Sequence, residues 1–101
     1  MYGSIQLMKP KTLRHYNILV KGRVQRVNYR VFVQSKAMKL NLTGLVKNLH
    51  NGDVYIEIEG DEENVNTFID WCYVGSPLSK VIEVISEEQP VRDLQTFELK
   101  R

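Results

Sequence analysis

The feature that most constrains the fold is a strict alternation of apolar and polar residues after an Asn-Gly pair. Following Asn51 and Gly52, the stretch DVYIEIEG, residues 53–60, places Val or Ile at every second position and Tyr or Glu between them. A period of two is typical of a strand with one buried and one solvated face. Because Asn-Gly favours a hairpin turn, we expect residues 43–49, TGLVKNL, to form the partner strand. The pair predicts an antiparallel sheet covered on one side only.

Two helices and three further strands are predicted around this hairpin. The run YNILVK, residues 16–21, indicates a first strand, and residues 80–88 and 94–100 indicate two later ones. Apolar residues at helical spacing predict a first amphipathic helix, which ends near Asn41: Tyr29, Val33, Ala37 and Leu40. A second apolar stripe follows Asp61, a helix-capping residue type, and precedes Gly75 and Pro77: Val65, Phe68, Ile69 and Cys72.

The order of these elements predicts the fold class. It reads β-α-β-β-α-β with a short extra edge strand, which is the pattern of an α+β ferredoxin-like sandwich, an antiparallel sheet with both helices on one face. A chain of 101 residues is long enough for one such domain. We expect residues 1–13 to form a flexible leader, because they show no clear period, and residues 14–101 to form the domain.

Composition excludes several classes of function. A formal net charge of +2 does not indicate nucleic-acid binding, and no apolar stretch is long enough for a membrane span. Cys72, the lone cysteine, cannot form an internal disulfide, so a cytoplasmic location is favoured. His15 and His50 have no Cys or His at ligand spacing, so no metal site is predicted and both are expected at the surface.

Other chemically interesting residues have ordinary structural interpretations. Cys72 falls on the apolar stripe of the second helix and is expected to be an inert, buried thiol. Glu57 and Glu59 alternate on the polar face of a strand and are expected to be solvated rather than acid-base catalysts. Tyr55 alone does not supply the exposed aromatic residues that a sheet needs to bind RNA.

The loop GRVQRVNYR, residues 22–30, is the strongest candidate for a functional site. It lies between the first strand and the first helix and holds three arginines and no acidic residue. Backbone N–H groups at a helix entrance, together with a guanidinium, form a site for phosphate or carboxylate. Taken alone, the loop is better interpreted as a solvated basic turn, because helix-entry loops with arginine are common, and the anion site stays open as the alternative.

Two ordered motifs resemble those of the acylphosphatase family. The family patterns are G-x-V-Q-G-V-x-[FY]-R and, further along, G-[WLT]-V-x-N-x-x-[DN]-G. The first pattern is matched by Gly22, Val24, Gln25, Val27, Tyr29 and Arg30. The second is matched by Gly44, Val46, Asn48, Asn51 and Gly52. The resemblance extends over roughly residues 15–100 and favours the anion-binding interpretation of the loop.

This resemblance implies hydrolysis of an acyl phosphate to a carboxylate and inorganic phosphate, without metal or cofactor. Its implied catalytic residues are Arg30, which binds phosphate, and Asn48, which orients water. The implied substrate-binding residues form the rest of the loop: Val24, Gln25, Arg26, Val27, Asn28 and Tyr29. We also expect a monomer with a small-molecule substrate, inhibited competitively by its product phosphate, and with no nucleic-acid or membrane partner.

Arg26 departs from the family pattern, which has glycine at this position. If its φ were positive, a non-glycine residue would strain the loop, and the chain could be a weakly active or inactive anion-binding module. If its φ were negative, Arg26 could add a cation at the rim of the site, and we favour this alternative. Asn28 is of less concern because asparagine tolerates the left-handed region.

Overall fold

The computed structural model describes residues 12–101. Its strands are β1 (Leu13–Arg23), β2 (Thr43–Asn48), β3 (Val54–Asp61), β4 (Lys80–Gln89) and β5 (Phe97–Leu99). Its helices are α1 (Tyr29–Lys39) and α2 (Glu62–Val74). The predicted flexible leader, residues 1–13, falls almost wholly outside the described residues and stays a prediction. No helix within residues 12–101 has the length and apolar character to cross a bilayer.

The five strands form one sheet in the order β4-β1-β3-β2-β5. Strand β1 pairs antiparallel with both β3 and β4, and β2 pairs antiparallel with β3 across the predicted hairpin. These four strands and the two helices form the predicted ferredoxin-like α+β sandwich. Strand β5 differs from the expectation of a wholly antiparallel sheet, because it pairs parallel with β2 and makes the sheet mixed.

Both helices cover the same face of the sheet, and the core lies between them and it. On the sheet side the core consists of the alternate apolar residues of three strands: Ile18, Val20, Val46, Val54, Ile56 and Ile58. On the helix side it consists of the predicted stripes: Tyr29, Val33, Ala37, Val65, Phe68 and Cys72. The helical and strand periods therefore decided which residues are buried.

Two motif glycines lie where backbones approach closely. A Cβ atom on Gly44 would lie 1.8 Å from the carbonyl oxygen of Glu57, and one on Gly22 would lie 2.2 Å from that of Lys80. Both glycines also have positive φ, 143° and 126°. Glycine is required at each position because no side chain fits and because L-residues rarely adopt this conformation. Gly22 lies on β1 and Gly44 on β2, the two strands next to the candidate site.

The face of the sheet opposite the helices is not fully solvated. Residues 90–96 connect β4 and β5, the two edges of the sheet, and cross this face on the way. The backbone N–H groups of Arg92 and Leu94 donate to Glu59 at 2.7 and 2.9 Å. His15 is 1% exposed and Glu59 is 5% exposed, so the expectation of a surface histidine and a solvated glutamate was wrong for these two residues. The crossing segment buries them.

Candidate active site

The loop between β1 and α1 has an unusual alternation of backbone conformation. Arg26 and Asn28 have φ of 62° and 59°, whereas Gln25 and Val27 between and beside them keep negative φ. Alternation of right- and left-handed residues turns successive N–H groups towards one side of the chain and forms a concave anion site. Helix α1 begins directly afterwards, so its N-terminal dipole adds positive potential at the same place.

The N–H groups of this loop are available to a ligand. Within residues 12–101, no acceptor forms a hydrogen bond with the backbone N–H groups of residues 25–30. Unpaired backbone donors are costly when they are withdrawn from water, and a bound oxyanion would satisfy several at once. The loop therefore has the form of an anion cradle at the entrance of a helix.

One side chain fixes the loop to the β2–β3 hairpin. Gln25 Nε2 donates to the carbonyl oxygens of Leu49 and Asp53 at 2.7 and 2.8 Å. These two carbonyls flank the turn, and Asp53 is itself held by Lys21, whose Nζ lies 2.7 Å from Asp53 Oδ2. The bond to this carboxylate raises the pKa of Lys21. The two family motifs thus meet through hydrogen bonds, although α1 lies between them in sequence.

Helix α2 fixes the other end of the loop. Ser76, which follows this helix, donates from Oγ to the carbonyl oxygen of Val27 at 3.0 Å. Tyr29 donates its hydroxyl proton to the carbonyl oxygen of Cys72 at 3.0 Å, and its ring stacks on Trp71 with centroids 5.8 Å apart. Burial, then the proximity of Cys72, raises the pKa of Tyr29, which stays a hydrogen-bond donor. These contacts hold the first turn of α1 in place.

A cavity of about 110 Å³ lies against this loop. It is lined by residues of the loop, the start of α1 and the strands β2 and β5: Val24, Arg26, Asn28, Tyr29, Arg30, Val31, Asn48 and Leu99. Two of these residues are cationic and none is acidic. A small cavity with two guanidinium groups and unpaired amides is suited to a phosphoryl group.

Arg30, in the first turn of α1, is held at the cavity by the end of the chain. Its Nη1 donates to the carbonyl oxygen of Lys100, which follows β5. Lys100 in turn donates its N–H to the carbonyl oxygen of Val46 at 2.8 Å, so β5 and β2 fix its position. The parallel pairing of β5 was not predicted, and its contribution to the site is therefore a finding of the structure.

Asn48 is the last residue of β2 and lines the same cavity. Its Oδ1 atom is buried and forms no hydrogen bond with any of the described residues. A buried polar atom without a partner costs free energy, of the order of 1–3 kcal/mol. Because Asn48 also lines the cavity, its side-chain amide lies beside the space that a bound water or substrate would occupy.

The structure brings most of the predicted site residues together. Of the eight named from the sequence, six line the cavity: Val24, Arg26, Asn28, Tyr29, Arg30 and Asn48. Gln25 and Val27 do not line it; the side chain of the first and the carbonyl of the second anchor the loop instead. Sequence reasoning assigned no role to Ser76 or to Lys100, because each acts through a contact between segments that are distant in sequence.

The other reactive groups lie away from this cavity. Cys72 is fully buried in the core, and burial raises the pKa of its thiol to about 12, which suppresses the thiolate. Within residues 12–101, no group of three or more His, Cys, Asp and Glu residues could hold a metal ion. The polar groups that border the cavity are guanidinium, side-chain amide and backbone N–H groups.

Comparisons with known proteins agree with this geometry. The sequence profile of the acylphosphatase family matches residues 16–99. The chain belongs to the acylphosphatase family. It is 46% identical over 83 residues to an acylphosphatase of Bacillus licheniformis, which covers 82% of this chain and 90% of that protein. It is 45% identical over 78 residues to one of Clostridium beijerinckii, with coverage of 77% and 87%.

A solved acylphosphatase structure from Coxiella burnetii superposes on the chain with a TM-score of 0.86 at 35% identity. The match covers 92% of this chain and all of that one. The chain is accordingly a hydrolase of acyl phosphates, and nothing in the comparisons favours the alternative of an inactive anion-binding module. The ferredoxin-like fold and the family resemblance predicted from the sequence are confirmed.

The backbone of Arg26 corrects one expectation. We favoured a negative φ at this position, but φ is 62°, the left-handed conformation that the acylphosphatase motif meets with glycine. The side chain nevertheless lines the cavity, as a rim cation would. Arg26 therefore combines a strained backbone with an added positive charge at the cavity. From the sequence we had expected one or the other.

Proposed function

We propose that Arg30 and the backbone N–H groups of residues 24–29 hold the phosphoryl group of an acyl phosphate, and that Asn48 orients the attacking water. The observation that carries this proposal is that all three parts border one cavity of about 110 Å³. A guanidinium binds two phosphoryl oxygens through parallel hydrogen bonds, and the loop N–H groups bind the remaining ones. The substrate is thereby fixed with its acyl group towards the mouth of the cavity.

The reaction needs positioning more than a strong base. The water oxygen forms a bond to phosphorus while the bond between phosphorus and the acyl oxygen breaks, and its electron pair leaves with the carboxylate. A carboxylate is a good leaving group, so no acid has to protonate it. One proton of the water passes to a phosphoryl oxygen, and the products are a carboxylate and inorganic phosphate. Charge on the phosphoryl oxygens is stabilised by Arg30 and the loop amides throughout.

Asn48 aligns the water for this attack. Its unpaired Oδ1 accepts a hydrogen bond from the water and leaves a lone pair of the water oxygen directed at phosphorus. The amide cannot remove a proton, which is consistent with transfer to the substrate itself. Holding a water in line removes much of the entropic cost of a reaction between two molecules.

Several properties follow for the enzyme in solution. Inorganic phosphate, the product, should occupy the same cradle and inhibit competitively. The site lies within one chain, so we expect a monomer, which sedimentation would detect. The buried lone Cys72 is compatible with a reducing compartment, and we expect the enzyme to act in the cytoplasm. Chelators should not affect turnover, since the proposed steps use no metal.

A direct assay tests the proposal. Phosphate release from acetyl phosphate and benzoyl phosphate by the purified chain should greatly exceed spontaneous hydrolysis, and both inorganic phosphate and the Arg30→Lys substitution should depress it. Turnover equal to the uncatalysed rate would refute the proposed mechanism. Turnover that is insensitive to Arg30→Lys would agree with the proposed reaction but would contradict the proposal that this cavity binds the phosphoryl group.

A further inference from the structure

We propose that Arg26 makes the site selective for acyl phosphates whose acyl group carries a second negative charge. The inference rests on the function proposed above and concerns the substrate class of the same site. Two cationic residues, Arg26 and Arg30, line the cavity. Arg30 is held against the end of β5 and serves the phosphoryl group, whereas Arg26 lies at the exposed side of the loop.

The guanidinium of Arg26 has no protein partner among the described residues. Several other cationic side chains of residues 12–101 form ion pairs with carboxylates: Arg14, Lys21, Arg92 and Lys100. No such pair involves Arg26, although it lines the cavity and no acidic residue does. Its charge therefore acts on whatever occupies the mouth of the cavity.

The size of the cavity determines which part of the substrate meets this charge. At about 110 Å³ it is well below the roughly 300 Å³ at which ordinary ligand pockets begin. The phosphoryl group fills it, and an acyl chain has to extend past the rim. A carboxylate or phosphate on that chain comes close to Arg26, where a guanidinium can bind either anion, whereas an apolar chain gains nothing from the charge.

The backbone of Arg26 is in the left-handed conformation. A φ of 62° costs free energy for arginine, and glycine would adopt it without strain. The loop geometry by itself thus favours glycine at this position. The arginine side chain should therefore provide an interaction that offsets the strain. Recognition of a second anion by an unpaired guanidinium at the rim is such an interaction.

The test compares two substrates that have four-carbon acyl groups. Succinyl phosphate ends in a carboxylate, whereas butyryl phosphate ends in a methyl group. At an ionic strength of about 0.01 M, Arg26→Gln should lower the ratio of kcat/KM for succinyl over butyryl phosphate about two- to fivefold. Glutamine keeps a non-glycine residue at the strained position, so the charge is what changes. The effect should diminish at about 0.15 M salt.

Arg23→Gln is the matched control, because Arg23 belongs to the same basic stretch, is exposed and does not line the cavity. It should leave the ratio unchanged. A third substrate, 3-phosphoglyceroyl phosphate, shows which anion Arg26 binds. If Arg26→Gln lowers the ratio of kcat/KM over butyryl phosphate only for this substrate, the anion is a phosphate. If it lowers the ratio only for succinyl phosphate, the anion is a carboxylate. A ratio unaffected by Arg26→Gln, or equally lowered by Arg23→Gln, overturns the inference. Failure of the parent to hydrolyse any of these substrates would instead contradict the proposed function.

Discussion

His15 and Glu59 form a buried pair on the face of the sheet opposite the helices, with His15 Nδ1 2.8 Å from Glu59 Oε1. The other ring nitrogen, Nε2, lies 3.2 Å from Glu57 Oε1, and Arg92 Nη1 lies 3.1 Å from the same oxygen. Two carboxylates, one guanidinium and one imidazole thus meet in one group. The group ties β1 and β3 to the crossing segment, residues 90–96.

Removal of the imidazole should destabilise the fold. His15→Ala leaves the carboxylate of Glu59 buried without one of its partners, and we expect the free energy of unfolding to fall by about 3 kcal/mol. His50→Ala is the control, because His50 is exposed in the hairpin turn and its loss should change stability by less than about 0.5 kcal/mol. Urea denaturation of both variants measures the difference. Equal stabilities would show that the pair contributes nothing.

Acidification should weaken the same group. Burial by itself raises the pKa of Glu59, but hydrogen bonds from the Arg92 amide, His15 and the Leu94 amide outweigh it and hold the pKa below its ordinary value of 4.5. The unfolded chain therefore binds a proton at higher pH than the folded one. The stabilisation that ionised Glu59 contributes is therefore complete above pH 4.5, and it is lost as pH falls through the pKa of Glu59 in the folded state.

Denaturation curves at several acidic pH values measure this effect. Glu59→Gln should have a lower stability than the parent at neutral pH and a shallower decline below pH 4.5. Glu87→Gln, at an exposed position of β4, should keep the parent's decline. A parent and a Glu59→Gln variant with parallel profiles would contradict the assignment.

Arg30→Lys should abolish most activity while the fold survives. Lysine keeps the charge but loses the planar fork, which can bind two phosphoryl oxygens and also donates to the carbonyl of Lys100. We expect kcat/KM to fall by about 10²- to 10³-fold. Arg23→Lys, outside the cavity, should retain the parent's value. Near-normal kcat/KM in Arg30→Lys would exclude the proposed phosphate contact.

Asn48→Ala should separate catalysis from binding. Because its proposed partner is the water, kcat should drop by about 10²-fold, whereas the inhibition constant of inorganic phosphate should change much less. Steady-state kinetics with phosphate as inhibitor gives both quantities. Asn66→Ala, at an exposed position of α2, should affect neither. Parallel losses in kcat and phosphate affinity would mean that Asn48 shapes the cavity and does not act on the water.

Arg26→Gly should stabilise the protein. Glycine adopts a φ of 62° without the steric cost that arginine bears, so the free energy of unfolding should rise by about 1 kcal/mol. Arg26→Gln, which keeps the strain, should match the parent. Thermal or urea denaturation distinguishes the three proteins. A glycine variant no more stable than the glutamine variant would show that the left-handed conformation is not strained here.

Local patterns in the sequence sufficed for the framework of the fold. The hairpin, the core stripes of both helices and the end of α2 at Val74, before Gly75, follow from periodicities and turn residues that span only a few positions. The two motifs pointed to the loop and to Asn48, and both border one cavity in the structure. Their physical connection by Gln25 and the anchor from Ser76 depend on contacts between distant segments.

The features that the sequence did not predict are of the same long-range kind. His15 and Glu59 are 44 residues apart, and only the crossing segment that covers them makes both buried. The parallel strand β5 is three residues long, too short for a period to indicate its partner. Arg26 has a positive φ between two anchored residues, Gln25 and Val27, whereas arginine ordinarily has a negative φ.

The hydrogen bonds from Gln25 to Leu49 and Asp53 join residues that are 24 and 28 positions apart. The anchored form of the anion cradle therefore requires a closed hairpin that lies beside β1, so the cradle belongs to the folded state. Phosphate binds the finished fold and not its precursors, so it shifts the folding equilibrium by mass action. The fraction of a preparation that binds phosphate thereby measures the fraction that has folded correctly.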